Sequence, residues 1–325
     1  MPFGQFNARR LALPAALAAA ATTAFVVAGG PLHAFADAFG RAFDADPRWV
    51  VAAGIFELLS FAGYVALLWL VGGRATDRLG LRASAEVTLG GAAATRLVPT
   101  GGAGGAAVTL WSLRRAGLSM REAAHTLLTF LVVLYSVFLG SIAVAGGALA
   151  LGLVDGNGPL LLSALPAAGA TLAIAIAIAL GIAAHRPRRQ RTVALGAAVR
   201  AAIALVHSGD VRLLGAVAWW AFDAAVLWAM LRALGAPPSL AVVALAYFLG
   251  QIANTVPLPG AVSGGMVGVL LAFGVQADVA LAAVLSYRAV AIWLPAPIGL
   301  VALSGLRLTV AGWGGRGRHL VGQGV

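Results

Sequence analysis

The sequence predicts an all-α, polytopic transmembrane helix bundle: about six full spans plus two re-entrant broken-helix hairpins in an inverted repeat, with both termini cytoplasmic. Three observations lead there. Of 325 residues, 61% are hydrophobic and only 10% are charged, at a mean hydropathy of +0.94, which is more apolar surface than one water-soluble core can bury. Uncharged runs of bilayer-spanning length recur along the chain, separated by short segments whose arginine content alternates. Two further apolar segments are broken at their centres by proline and clustered glycine, "TRLVPTGGAGGAAVTL" at 95–110 and "NTVPLPGAVSGGMVGVL" at 254–270.

The first run, Leu11 to Leu32, follows Arg9 and Arg10. The "AFA" at 34–36 imitates a signal-peptidase site, but the run exceeds the roughly 7–15 residues of a signal core and matches a crossing, so a retained span is expected. The same criterion gives spans at Trp49 to Val71, Ala123 to Val154, Pro159 to Ala184, Leu213 to Leu234 and Val279 to Gly305. Arginine gathers in alternate connections: Arg74, Arg78 and Arg82; Arg114, Arg115 and Arg121; "HRPRRQR" at 185–191; and "RGRH" at 316–319. The intervening connections carry Asp37, Asp44 and Asp46, or Asp155, or Asp278. The excess of Arg on one side places that side, and both termini, in the cytoplasm. Thr192 to Ser208, with Arg200 and His207 among small apolar residues, reads as an interfacial helix. One integral membrane domain is expected over 1–325, with inverted halves at 49–154 and 192–305 and a cytoplasmic tail at 306–325.

The broken segments do not fit as ordinary spans. Arms at 86–98 and 101–113 are each about 20 Å long as helix, short of a hydrocarbon core of about 30 Å, and both flanks are cytoplasmic by charge. A hairpin that dips to mid-membrane and returns is expected. The second unit, 239–273, has arms of about 17 and 13 residues and flanks on the other side; it either dips from the opposite face or makes a thin double crossing. Three full spans separate the units, and an odd number inverts a repeat.

Backbone that leaves helical geometry inside a bilayer is tolerated only when buried in protein or lining a wet cavity. Each break is followed by a short helix whose N-terminal N–H groups and positive dipole end would face the membrane centre and favour an anion. The alternative is that the glycines only permit close helix packing. Arg96 and Arg288 lie too deep to be topology signals, and a charge at that depth needs a partner, water or a ligand. Asp223, midway along its span, is a possible charge partner for Arg288, as is Glu57 for Arg96. Asn254 and Gln251 near the second tip are suited to a polar head group or to interhelical hydrogen bonds.

Signatures of other functions are absent. "PTGGAGGAAVT" lacks the lysine of a phosphate-binding loop, no His and carboxylate cluster has metal spacing, and there is no cysteine. No enzymatic activity, cofactor, metal or nucleic-acid partner is expected.

The blocks "RLVPTGG", "WSLRRAGLS", "VPLPG", "GGMVGVLLAFGV" and "AVLSYRAVAIWLP" resemble the lysylphosphatidylglycerol synthase transmembrane-region family, a flippase-like integral membrane domain, over about 50–306. The resemblance implies a bundle with two re-entrant hairpins and a role in handling lipids with anionic or modified head groups. It carries a head-group site onto Arg96, Pro99, Gly101, Gly102, Gly104 and Gly105 in the first motif, and onto Pro259, Gly260, Gly264, Gly265 and Arg288 in the second, with Asn254 nearby. Family members often carry Glu after each Pro-Gly turn, and this chain has none there. The expected function is binding and translocation of a lipid with a phosphate-bearing head group, either an anionic phospholipid or a polyprenyl phosphate. The alternative is a non-transporting partner that binds such a lipid and scaffolds a membrane enzyme. A bacterial cytoplasmic membrane is the expected location.

Overall fold

Asp46 starts the first described helix by accepting a hydrogen bond from the Arg48 amide at 2.9 Å, and Pro47 supplies the fixed φ favoured at a helix start. The computed structural model describes residues 45–97, 103–183, 190–235, 237–253 and 260–319, and every regular element among them is helical. In order these are α1 (Pro47–Ala75), α2 (Leu81–Leu97), α3 (Ala103–Arg115), α4 (Met120–Ala150), α5 (Leu160–Ala183), α6 (Gln190–His207), a 3₁₀ turn (Val211–Leu213), α7 (Leu214–Ala233), α8 (Leu240–Ile252), α9 (Ala261–Ala272), α10 (Ala277–Trp293) and α11 (Pro295–His319).

Five stretches are long and apolar enough to cross a bilayer: Pro47–Ala75, Met120–Ala150, Leu160–Ala183, Val211–Ala233 and Ala277–Trp313. Each coincides with an expected span, and the remaining run at 11–32 lies outside the described residues. The chain is a membrane protein. The final stretch corrects the sequence reading, which has one span ending at Gly305. Pro295 and Pro297 cannot donate to the carbonyls of Ala291 and Trp293, so α10 ends at Trp293 and α11 continues to His319. Leu306 and Trp313, in the segment read as a tail, are buried.

The bundle is organised around α1 and α7, which run antiparallel. A Cβ on Gly63 would lie 2.7 Å from the Gly215 carbonyl, so the two backbones nearly touch. Ser60 Oγ donates to the Trp219 carbonyl at 2.8 Å in the same seam. Trp49 and Trp228 meet edge to face at one end of this pair, with Arg232 over both rings. At the other end Arg212 stacks on Trp69 at 4.7 Å. Twenty residues of helix separate Trp49 from Trp69, about 30 Å, which matches the hydrocarbon thickness of a bilayer.

The two ends of α1 also order the short helices. At its C-terminal end, the Thr76 hydroxyl donates to the Ala116 carbonyl at 3.5 Å, so the α2–α3 hairpin starts and finishes there. At its N-terminal end the Asp46 amide donates to the Ala233 carbonyl at 3.2 Å, and α4 runs antiparallel to α1 toward that end. There Val242 and Phe273, at the outer ends of α8 and α9, pack beside Gly156 in the α4–α5 connection. The α8–α9 hairpin therefore opens at the opposite end from the α2–α3 hairpin. The expected interfacial segment is α6, seated on α5 and α4 with Ala198, Val199, Ala202 and Leu205 buried.

Candidate functional site

The two hairpins share their internal construction. In the first, Gly105 sits against the backbone of Gly91; in the second, Gly265 sits against Gly250, where a Cβ would lie 3.1 Å from the facing Cα. Each second arm ends on a glycine in the left-handed region, Gly117 at φ 98° and Gly274 at φ 83°. Beyond each glycine the next amide reaches back five residues, Leu118 to the Leu113 carbonyl and Val275 to the Leu270 carbonyl, the arrangement that satisfies free helix-end carbonyls. Helix α8 has 13 residues and α9 has 12, about 20 and 18 Å. The described helix of the first arm covers 13 of the 17 residues read from the sequence, whose last residues lie outside the described ones.

These contacts divide the candidate glycines by role. Gly105 and Gly265 permit close approach of the arms, as the packing alternative holds, and the Gly105 N–H is not free to meet a ligand. Thr95 Oγ1 accepts it at 2.7 Å while donating to the Gly91 carbonyl at 3.0 Å. Gly260 adopts a left-handed φ of 80° at the start of α9, with no side-chain cap, and the Gly264 amide donates to its carbonyl at 2.7 Å. Among the described residues no atom approaches within 4 Å of the position a Gly264 Cβ would take, so none of them packs on that face of the first turns of α9. Gly104 sits in the first turn of α3. Pro99, Gly101, Gly102, Asn254 and Pro259 lie outside the described residues.

Asp223 lies eleven residues beyond Arg212 and nine before Arg232, at mid-depth on α7, and is 4% exposed. Its Oδ2 accepts the Tyr247 hydroxyl at 2.6 Å and its Oδ1 accepts the Tyr287 hydroxyl at 3.2 Å; Gln251 Nε2 in turn donates to Tyr287 at 3.3 Å. One carboxylate thus ties the first arm of the second hairpin to α7 and α10. The Asp223–Arg288 pair read from the sequence is not formed: the carboxylate is committed to two tyrosines. Arg288, half-buried on α10, makes no hydrogen bond or ion pair among the described residues. Arg96 is placed near the inner end of α2, about 22 Å along the helix from Leu81. Glu57 is buried on α1 and lines a cavity of about 210 Å³ with Leu89, Leu294 and Pro295 at the α10–α11 break.

The family described as lysylphosphatidylglycerol synthase TM region matches residues 11–299. The chain belongs to this family. Membership in the lysylphosphatidylglycerol synthase TM-region family makes it a membrane domain of the flippase-like kind. The match begins well before residue 50, where the resemblance read from motifs begins, so the run at 11–32 belongs to the family's domain. No curated protein matches the chain.

For this family member, Tyr247 is the site residue that sequence reasoning missed. Its signal was a single hydroxyl in the apolar arm "LAVVALAYFLGQI", which has to find a buried partner. Thr95 was missed for a similar reason: its role exists only because the chain doubles back onto Gly105.

Proposed function

We propose that this protein binds the phosphate-bearing head group of an anionic lipid at mid-membrane and moves it between leaflets. Arg288 is the anchoring cation and the open N-terminus of α9 is a second donor. The observation that carries the reading is the disposition of charge around Arg288: a desolvated guanidinium is costly unless it meets a counter-ion, and the buried acid nearby is held by Tyr247 and Tyr287 instead. A phosphate would satisfy the planar fork bidentately. Arg96 approaches mid-depth from the other hairpin and is assigned to the same anion.

The hairpins open at opposite ends of α1, and we read them as inverted, re-entrant units with the Arg-rich α1 C-terminal end cytoplasmic. The bacterial cytoplasmic membrane is the proposed setting. The test is exchange of a fluorescent phosphatidylglycerol in vesicles reconstituted with the purified chain. Exchange above that of protein-free vesicles, lost in Arg288→Gln, is the expected result. Exchange no faster than in protein-free vesicles, with phosphatidylglycerol still copurifying, would overturn translocation and leave a lipid-binding scaffold for a membrane enzyme.

A further inference from the structure

A groove of about 860 Å³ lies between α4, α7 and α8, away from Arg288, and its walls are almost wholly apolar. It begins beside Trp228 and Leu240, at the end of the bundle where α7 finishes, and closes inward on Val137 and Phe248. From Leu240 to Phe248 is about 12 Å of helix, and from Ala148 to Val137 on α4 about 16 Å. The groove is therefore about half the hydrocarbon thickness of a bilayer in length, the depth of one leaflet. Its volume lies within the roughly 300–1,000 Å³ of ligand sites, and its walls are mostly Gly, Ala and Val.

The mouth is not apolar. Trp228 forms part of the groove wall, and the exposed guanidinium of Arg232 sits 5.3 Å from the centre of that same ring. Charge and length together fit one occupant. We infer that the groove holds an acyl chain of a phospholipid from the leaflet at the α7 C-terminal end, with the phosphate of that lipid at Arg232. This is a second lipid site. Its occupancy does not depend on the translocation reading, although a tail held against α8 would sit on the outer face of the hairpin arm that carries Tyr247.

Gly140 gives a clean handle. It lines the groove, and no atom lies within 4 Å of the position of an added Cβ, so a larger side chain enters the groove without meeting backbone. The experiment is native mass spectrometry of the full chain in mild detergent, titrated with phosphatidylglycerol and with phosphatidylcholine, alongside melting temperature. Gly140→Phe and, as a second filling variant, Ala225→Leu should each weaken the same one of the phosphatidylglycerol binding steps by at least about tenfold at unchanged melting temperature. Arg232→Gln should erase the preference for phosphatidylglycerol over phosphatidylcholine while binding persists. Arg288→Gln should remove a different binding step and leave the one lost in the filling variants intact, which separates the groove from the mid-membrane site. Wild-type retention of every binding step in both filling variants, or loss of one and the same step in the filling variants and in Arg288→Gln, would overturn the inference.

Discussion

Replacing Arg288 tests the mid-membrane site because the structure separates its effect on binding from its effect on folding. The side chain is half-buried and makes no hydrogen bond or ion pair among the described residues, so Arg288→Lys removes no internal partner. Folding stability should change by no more than about 0.5 kcal/mol. Binding is different. A bidentate guanidinium–phosphate pair makes two charge-assisted bonds, and Lys keeps the charge but loses the planar fork. One hydrogen bond to a charged group contributes about 1.5–3 kcal/mol, which corresponds to a loss of roughly 10- to 160-fold in affinity. Arg288→Gln, which loses the charge as well, should fall further. The assay is calorimetric titration of a short-chain phosphatidylglycerol into detergent-solubilised protein, with melting followed by tryptophan fluorescence. Unchanged affinity in Arg288→Lys combined with a lower melting temperature would refute the reasoning, since it would mean that the guanidinium serves the fold.

The Asp223 cluster should respond in the opposite way. Tyr247→Phe and Tyr287→Phe each leave a buried carboxylate oxygen short of a donor and should destabilise by about 1.5–3 kcal/mol, read as reduced resistance to chemical unfolding. Gly63→Ala places a Cβ 2.7 Å from the Gly215 carbonyl and should cost about 1–3 kcal/mol, whereas Gly140→Ala has open space and should be neutral or gain up to about 1 kcal/mol; equal melting shifts would contradict the packing of α1 on α7. Two hydrogen bonds from the Arg212 side chain and one from its amide hold the Asp210 carboxyl down to about 2, so its contribution to stability is complete above the ordinary carboxylate range and is lost as pH falls through about 2. Asp210→Asn should accordingly flatten the acid limb of the melting-temperature profile, and an unchanged limb would count against that pair. In this cysteine-free chain, Thr76→Cys should react with an impermeant maleimide only from inside and Asn157→Cys only from outside. Labelling of both from one side would remove the inverted topology.

The sequence made the membrane, the described spans and the broken segments legible because each is a property of composition along a single line. A run of apolar residues, a Pro-Gly interruption and an Arg-rich connection carry their meaning wherever the chain goes next. The end of the last span was not legible. Ala296 to Gly312 remains apolar past the prolines, so hydropathy continues where hydrogen bonding breaks, and the helix beyond packs its Gly299 onto Leu89 and Ala93 of α2, more than 200 residues away. The candidate site was legible only as a list of deep polar residues. Which acid meets which cation depends on helix rotation, and rotation placed Tyr247 and Tyr287, not Arg288, against Asp223.

That outcome bears on how two similar hairpins can serve unlike roles. Both close on paired glycines and both end on a left-handed glycine, so their backbones pose the same problem at the same place: a helix N-terminus whose first amides need acceptors. The first hairpin answers internally, because Thr95 turns its hydroxyl oxygen to the Gly105 amide. In the second, the glycine against the first arm is Gly265, which faces Ala253 and lies beyond the Gly264 amide that already donates to Gly260, so the amides without an intrahelical acceptor are those of Ala261 to Ser263. Among the described residues no side chain caps the α9 N-terminus, and α9 packs on α10, the helix that carries Arg288. Substituting Ala261→Asp should place a competing carboxylate at that terminus. With a negative charge supplied from within, the α9 terminus has less to offer an anion, and phosphatidylglycerol affinity should fall while thermal stability holds or rises, by the roughly 0.3–1 kcal/mol of an acidic side chain in a first helical turn. Thr95→Ala, which uncaps α3, should lower stability by a similar amount without weakening the lipid. If the two substitutions changed affinity equally, the hairpins would be equivalent, and the anion would have to be placed between them rather than at the second.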